Sequence, residues 1–323
     1  MIWRKEIWML LPLIILSGCR HKDLCYPAAS TLVVTFDWTE EPEVIPKNIT
    51  TFFYPIDTEG CSIDTERCSA RDPIRWDFSN REGGEVRLTP GRYRVLAFNN
   101  DSEVLRYREE QRYETIESFT GATLTLNGML SGVRYPRGDA DEPHQFPPDP
   151  FYAGRVDYLR VEPAGSNTSL QQVVLIMKRE YIDIDVEIAH IGNLSQAVGI
   201  TASLTGLAGG YFIGLDKLAK RSVSVPIEMK WAKEGDAAYG SSTAYGIQDE
   251  MEHTLTLYVV MQDGKGYIYT FDVTKQVIDQ EGKKVIRVVI DEEIKLPEAD
   301  PQSGGGWHVE VDEWTNVYLD IKM

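Results

Sequence analysis

The strongest constraint on this chain is the alternation of apolar and polar residues that runs along most of it. Leu32, Val34, Phe36 and Trp38 fall on one side of an extended backbone, with Thr31, Thr35 and Asp37 on the other. Ile182, Ile184, Val186 and Ile188 alternate with Asp183, Asp185 and Glu187. Leu255, Leu257, Val259 and Met261 alternate with Thr254, Thr256 and Tyr258. A period of two marks a strand with one face on a core and the other toward solvent. Asp263-Gly264, placed between the last run and 267–271, specifies a tight hairpin. Further strands are expected at 49–56, 74–79, 86–88, 92–98, 123–126, 151–161 and 285–290. A final strand carries Val317, Leu319, Ile321 and Met323. Helical periodicity is sustained nowhere, and 274–280 is expected to form one short turn of helix.

Many short strands punctuated by Gly and Pro define an all-β chain of sandwich type. At 323 residues it is long for one sandwich, so two tandem β-sandwich domains are expected. The loop-rich stretch 135–150 is followed by renewed strand patterning, so it reads as a long loop late in the first domain. The break is expected at the Pro-Ala-Gly-Ser-Asn-Thr-Ser stretch 163–169, giving domains at 30–165 and 166–323. With 42% hydrophobic and 26% charged residues the chain is globular and not disordered. A net charge of −17 repels a phosphate backbone and excludes nucleic acid as a partner.

The N-terminus carries Arg4 and Lys5 ahead of the apolar run Ile7 to Leu16. This is the pattern of a secretory signal, here 1–18, and it is shorter than the ~20 residues that span a bilayer. The run closes on Leu16-Ser17-Gly18-Cys19, which resembles the acylation motif of bacterial lipoproteins. The resemblance implies lipidation of Cys19, a short tether at 19–29, and attachment to the outer membrane by the lipid, facing the periplasm or the cell surface. Of the other cysteines, Cys61 and Cys68 either close a small disulfide loop in an oxidising envelope or stay as free thiols. Cys25 is left over.

No catalytic set stands out, so the chain is expected not to be an enzyme and to need no cofactor. His21, His144, His190, His253 and His308 are scattered without metal-type spacing, and no metal site is expected. The acidic loop Asp139, Asp141, Glu142, Asp149 offers hard oxygen ligands but lacks EF-hand spacing, and reads as a solvated loop. Arg137-Gly138-Asp139 is a tripeptide of integrin type that arises often by chance. Trp38, Trp76, Trp231, Trp307 and Trp314 are expected in cores or at sheet edges.

Several segments, in order, resemble the fimbrillin-like superfamily of Bacteroidetes. They are Leu88-Thr-Pro-Gly-Arg-Tyr-Arg-Val-Leu-Ala-Phe-Asn-Asn-Asp101, the small-residue turn Ala202 to Tyr211, Phe271-Asp-Val-Thr-Lys-Gln-Val277, and Gly304-Gly-Gly-Trp-His-Val-Glu-Val-Asp-Glu-Trp314, while His21-Lys-Asp-Leu-Cys-Tyr26 resembles the start of an uncharacterised lipoprotein subgroup. The resemblance implies tandem transthyretin-like sandwiches and partners among fimbrial or other envelope proteins, joined by β-strand addition. Polymerising members lose a leader strand to a protease cutting after Arg. Here no Arg lies between Arg20 and Arg67, so the first strand is expected to stay. An anchor-like or accessory subunit in fimbria assembly or cell-surface adhesion is the expected role. The alternative is a stand-alone lipoprotein binding a glycan or host ligand through exposed aromatics. The C-terminal strand, behind the Gly304–Gly306 hinge, is the candidate inter-subunit element, unless it simply completes its own sandwich.

Overall fold

The computed structural model describes residues 29–56, 72–126, 134, 143–165, 170–299, 311 and 314–317. The first half contributes β1 (Ser30–Asp37), β2 (Ile49–Pro55), β3 (Ile74–Phe78), β4 (Gly83–Leu88) and β5 (Gly91–Asn99). It continues with β6 (Arg106–Arg108), β7 (Glu117–Phe119), β8 (Tyr152–Val161), β9 (Gln171–Ile176) and β10 (Lys178–Arg179). Two sheets, β4-β1-β9 and β10-β8-β5-β2-β3, share one core. Leu32 and Val34 of β1 meet Phe53, Val95 and Leu175 there, all buried. Phe36 contacts Phe78 edge-on at 5.3 Å.

The second half contributes β11 (Ile182–Ile188), β12 (Ile191–Gly192), β13 (Ala197–Ala208), β14 (Gly210–Phe212), β15 (Lys217–Leu218) and β16 (Ser222–Trp231). After these come β17 (Ala238–Ala244), β18 (Thr254–Met261), β19 (Gly266–Asp272), α1 (Thr274–Ile278), β20 (Val285–Ile290), β21 (Ile294–Lys295) and β22 (Trp314–Val317). One eight-stranded sheet runs β20-β11-β17-β16-β13-β18-β19-β22, and its inward side chains form a second core. β12 and β21 make a small parallel pair beside it. The hairpin at Asp263-Gly264 joins β18 and β19, with Gly264 at φ 82° as a tight turn requires.

Several elements depart from the sequence reading. β9 lies beyond the expected break near 166, yet it pairs in parallel with β1, and β10 pairs with β8. Both therefore belong to the first sandwich, and the second sheet starts only at Ile182. Local patterning could not show this, because a parallel partner is set by contacts far away in sequence. The 202–211 stretch, read as a turn, is mostly strand: β13 runs twelve residues through the middle of the large sheet. Its Ala and Ser side chains are covered on both faces, so its pattern is small and continuous and does not alternate. The expected strand at 123–126 is reduced to isolated bridges, Ala122 to Gln145 and Thr125 to Arg134.

The two halves interlock. β7 of the first pairs with β14 of the second within the sheet β15-β14-β7-β6. Gly210 makes the approach feasible, since a Cβ there would sit 2.8 Å from the Ser118 carbonyl oxygen. Tyr211, Ile213 and Tyr245 thereby enter the first core. In return the segment around His144 lies along β16, with Gln145 N–H donating to the Ser224 carbonyl at 2.9 Å. Leu126 packs with Tyr258 and Val260 on the outer face of the large sheet.

A charged cluster closes the joint. Arg155 of β8 bonds Glu180 at 2.8 Å, donates to the Tyr211 hydroxyl and the Ile213 carbonyl, and lies 3.3 Å from Asp216. Burial pushes the Glu180 carboxyl up, against the pull of the Arg155 guanidinium. Burial depresses the Arg155 guanidinium, but Glu180, Tyr211 and Asp216 outweigh it. Removing one partner of a buried pair strands the other charge, at a cost of about 3 kcal/mol or more. Arg155→Met is expected to lower stability by about 3 kcal/mol in denaturant titration. Without the guanidinium the Glu180 pKa rises further, so the ionised form is the unfavourable one. The deficit is therefore smallest at about pH 4 and grows as pH rises through the folded-state pKa. Adding Glu180→Gln is expected to restore part of the loss. Because the halves share sheet and core, the chain is expected to unfold in a single calorimetric transition.

Candidate assembly interface

The first feature that bears on assembly is the state of the β1 groove. β1 lies at the centre of its sheet, antiparallel to β4 over six residue pairs and parallel to β9 over six. Leu32, Val34 and Phe36 point into the core and are at most 5% exposed. Ser30 Oγ donates to the Glu162 carbonyl at 2.6 Å and fixes the start of the strand. The groove between β4 and β9 is thus occupied by the chain's own residues.

The second feature is the C-terminal edge of the large sheet. β22 pairs in parallel with β19, from Gly266 opposite Trp314 to Tyr269 opposite Val317. Trp314 lies edge-on to Tyr258 at 5.7 Å, and Gly266 leaves it room, since a Cβ at that position would come within 2.7 Å of the indole. Val317 is half-buried against the second core, while Thr315 and Asn316 are exposed. Of the predicted inter-subunit residues, Val317 is placed here, and Leu319, Ile321 and Met323 lie outside the described residues.

The third feature is a shallow depression of about 600 Å³ on the outward face of the same sheet. Asp185, Glu187, Glu228, Lys230, Tyr239 and Arg287 line it. These are the solvent-side residues of period-two strands, and the depression is open and polar. Exposed aromatics sit on different elements: Trp76 (38% exposed) on β3, Phe146 (41%) in the loop before β8, Tyr158 (56%) on β8 and Tyr239 (52%) on β17.

Other sequence-predicted residues fall as follows. Cys19, Cys25, Cys61 and Cys68 lie outside the described residues, as do Arg137 to Asp139, Asp141, Glu142 and Trp307. Asp149 accepts from Ser102 Oγ at 2.6 Å. Trp38 is buried and donates to the Arg81 carbonyl at 2.9 Å. His190 pairs with Asp291 at 3.0 Å, and His253 is buried with Nδ1 3.1 Å from the Thr205 carbonyl. Among the described residues no three His, Cys, Asp or Glu side chains are grouped to hold a metal, and no helix is long and apolar enough to cross a membrane.

This nearly all-β architecture of several sheets has counterparts among solved proteins of Bacteroidetes. A solved structure described as a putative adhesin from Bacteroides ovatus superposes with a TM-score of 0.63 at 22% identity, covering 88% of this chain and 98% of that one. The fimbrial anchor protein Mfa2 from Porphyromonas gingivalis superposes more loosely, with a TM-score of 0.49 at 12% identity, over 81% and 90% of the two chains. In sequence, a Bacteroides ovatus protein named "Putative fimbrium anchoring subunit Fim4B" is 26% identical over 351 aligned residues, 97% of each chain. Residues 18–228 match the family described as Domain of unknown function (DUF5119), and the chain belongs to that family.

The edge strand has a direct check. Trp314→Ala is expected to loosen β22 and cost about 1–2 kcal/mol, as loss of a partly buried aromatic contact does. Amide exchange should accelerate in β19 over Gly266–Tyr269, while β11 and β17 stay protected. Equal protection of β19 in variant and parent would show that the indole does not hold the edge.

Proposed function

We propose that this chain is a non-enzymatic, lipid-anchored subunit of the cell envelope, anchor-like or accessory in fimbria assembly and adhesion. The observation that carries the reading is β1 in its own groove. A shaft subunit that receives its neighbour's strand needs that groove vacant, because β-augmentation works by backbone hydrogen bonds to unpaired strands. Here β4 and β9 are both already bonded to β1. No Arg between Arg20 and Arg67 offers a cut that would free it. A subunit closed on this side joins an assembly by another surface, as one at the end of a row does. The β22 edge supplies that surface, and the partner is a fimbrial or other envelope protein contributing a strand. The name carried by the Bacteroides ovatus relative points the same way.

The Leu16-Ser17-Gly18-Cys19 motif supports acylation of Cys19 and attachment to the outer membrane. Several acyl chains at about 0.8 kcal/mol per buried CH₂ hold a protein stably. For the alternative, a glycan-binding lipoprotein, the exposed aromatics Trp76, Phe146, Tyr158 and Tyr239 sit on four different elements among the described residues, which gives that reading less support. Two domains are the working division, with the first taken to end near Tyr181.

Mass spectrometry of purified envelopes tests the reading. The mature chain should start at an acylated Cys19, and Cys19→Ser should release it from the membrane fraction. Crosslinking should capture a pilus or envelope subunit, and capture should fall on removal of 312–323. An acylated chain that crosslinks to no envelope protein would discard the assembly role. Alkylation before and after reduction decides whether Cys61 and Cys68 are bridged.

A further inference from the structure

Among the described residues the eight-stranded sheet has two lateral edges, β20 and β22, and they are treated differently. An edge strand presents a row of unpaired N–H and C=O groups that invites another chain to pair with it. At one edge β20 is bonded in parallel to β11 on its inner side. On its outer side runs α1 with the turn that follows it. Gln276 Oε1 accepts from the Val289 N–H at 2.9 Å, and Gln276 Nε2 donates to the Val289 carbonyl at 3.0 Å. Gln280 Oε1 accepts from the Arg287 N–H at 3.0 Å, and Gln280 Nε2 donates to the Arg287 carbonyl at 2.8 Å. Each side-chain amide thus makes the reciprocal two-bond pair that a residue on a neighbouring strand would make.

The spacing fits. Four residues of helix and two of strand both advance the chain by about 6 Å. Glutamines four apart therefore reach alternate residues of β20, whose outward backbone groups recur every two. Gln280 Nε2 also donates to the Gln276 carbonyl at 2.7 Å, which orients the second amide. The segment is pinned by Val273 and Val277, both buried in the second core. Thr274 Oγ1 adds to this by accepting from the His253 N–H at 2.9 Å.

We infer that Gln276 and Gln280 close the β20 edge to strand addition, so that the large sheet takes a partner strand on its β22 side alone. The occupant kept out is a second copy of this chain. β20 reads Val-Ile-Arg-Val-Val-Ile, with one charge, no Pro or Gly and an exposed Val285 (41%), a composition that pairs readily with itself. Two β20 strands meeting antiparallel across a two-fold axis would form a self-complementary interface. The choice of the β22 side rests on the assembly role proposed above; the closure of the β20 side does not.

The test uses the full chain carrying Cys19→Ser, so that acylation does not itself cause association. Sedimentation should find this parent monomeric. The Gln276→Ala/Gln280→Ala variant, with circular dichroism matching the parent, should dimerise at least about tenfold more tightly. Adding Val289→Pro, which spoils β20 as a pairing strand, should abolish that dimer. Lys275→Ala, on the exposed side of α1, should leave the parent unchanged. A folded double variant that stays monomeric overturns the inference, and so does a dimer that survives Val289→Pro. If the double variant does not fold, Gln280→Ala alone is measured by the same criteria. Removal of 312–323 addresses the other question: unchanged partner capture would discard the β22 reading and leave the closed β20 edge standing.

Discussion

The first sandwich depends on β1 more than on any other strand. Its smaller sheet has the order β4-β1-β9, so among the described residues β4 and β9 meet no partner in that sheet except β1. Without β1 there is no sheet, only two unpaired strands over an open core. Leu32, Val34 and Phe36 also supply the layer that covers Phe53 and Val95. Each such side chain, fully buried, contributes about 1.5–3 kcal/mol. A strand that both completes a sheet and roofs a core is costly to displace, and this sets the chain apart from subunits built to receive that strand from a neighbour.

A second constraint follows from the joint. Because β7 and β14 share a sheet, and Tyr211 and Ile213 lie in the first core, the second half is no appended module. Its folding and that of the first half are linked through Gly210, Arg155 and Glu180. A joint of this kind passes force from one half to the other, since a flexible linker would yield before either sandwich did.

Much of the strand content was legible in sequence. The alternation at 31–38, 182–188 and 254–261 corresponds to β1, β11 and β18, and Asp263-Gly264 to their hairpin-type turn between β18 and β19. In β1 and β11 one face is covered and the other more open, so the faces differ in polarity; β18 alternates the same way at its start, while Tyr258 and Val260 further along are covered on the outer face as well. β13 was missed because both its faces are covered and its residues are small. β9 was placed in the wrong half because its partner lies some 140 residues earlier, for instance Leu32 opposite Gln171. The assembly surfaces were legible only in part. Val317 was marked by the final alternating run, whereas Gln276 and Gln280 carried no signal, since a polar residue on a short helix or in the turn after it gives no hint of what its amide bonds.

The sequence by itself thus determined that the chain is all-β, where most strands lie, and that a basic then apolar stretch ending in Leu16-Ser17-Gly18-Cys19 stands ahead of them. Those are properties of neighbours within a few residues, which local sterics and one-sided burial impose. Which strand pairs with which, where one sandwich ends, and which side chains cover the β20 edge were decided by tertiary structure alone. Pairing partners far apart in sequence are chosen by the fit of whole faces and by backbone groups that must find bonds somewhere, and no local pattern records that choice.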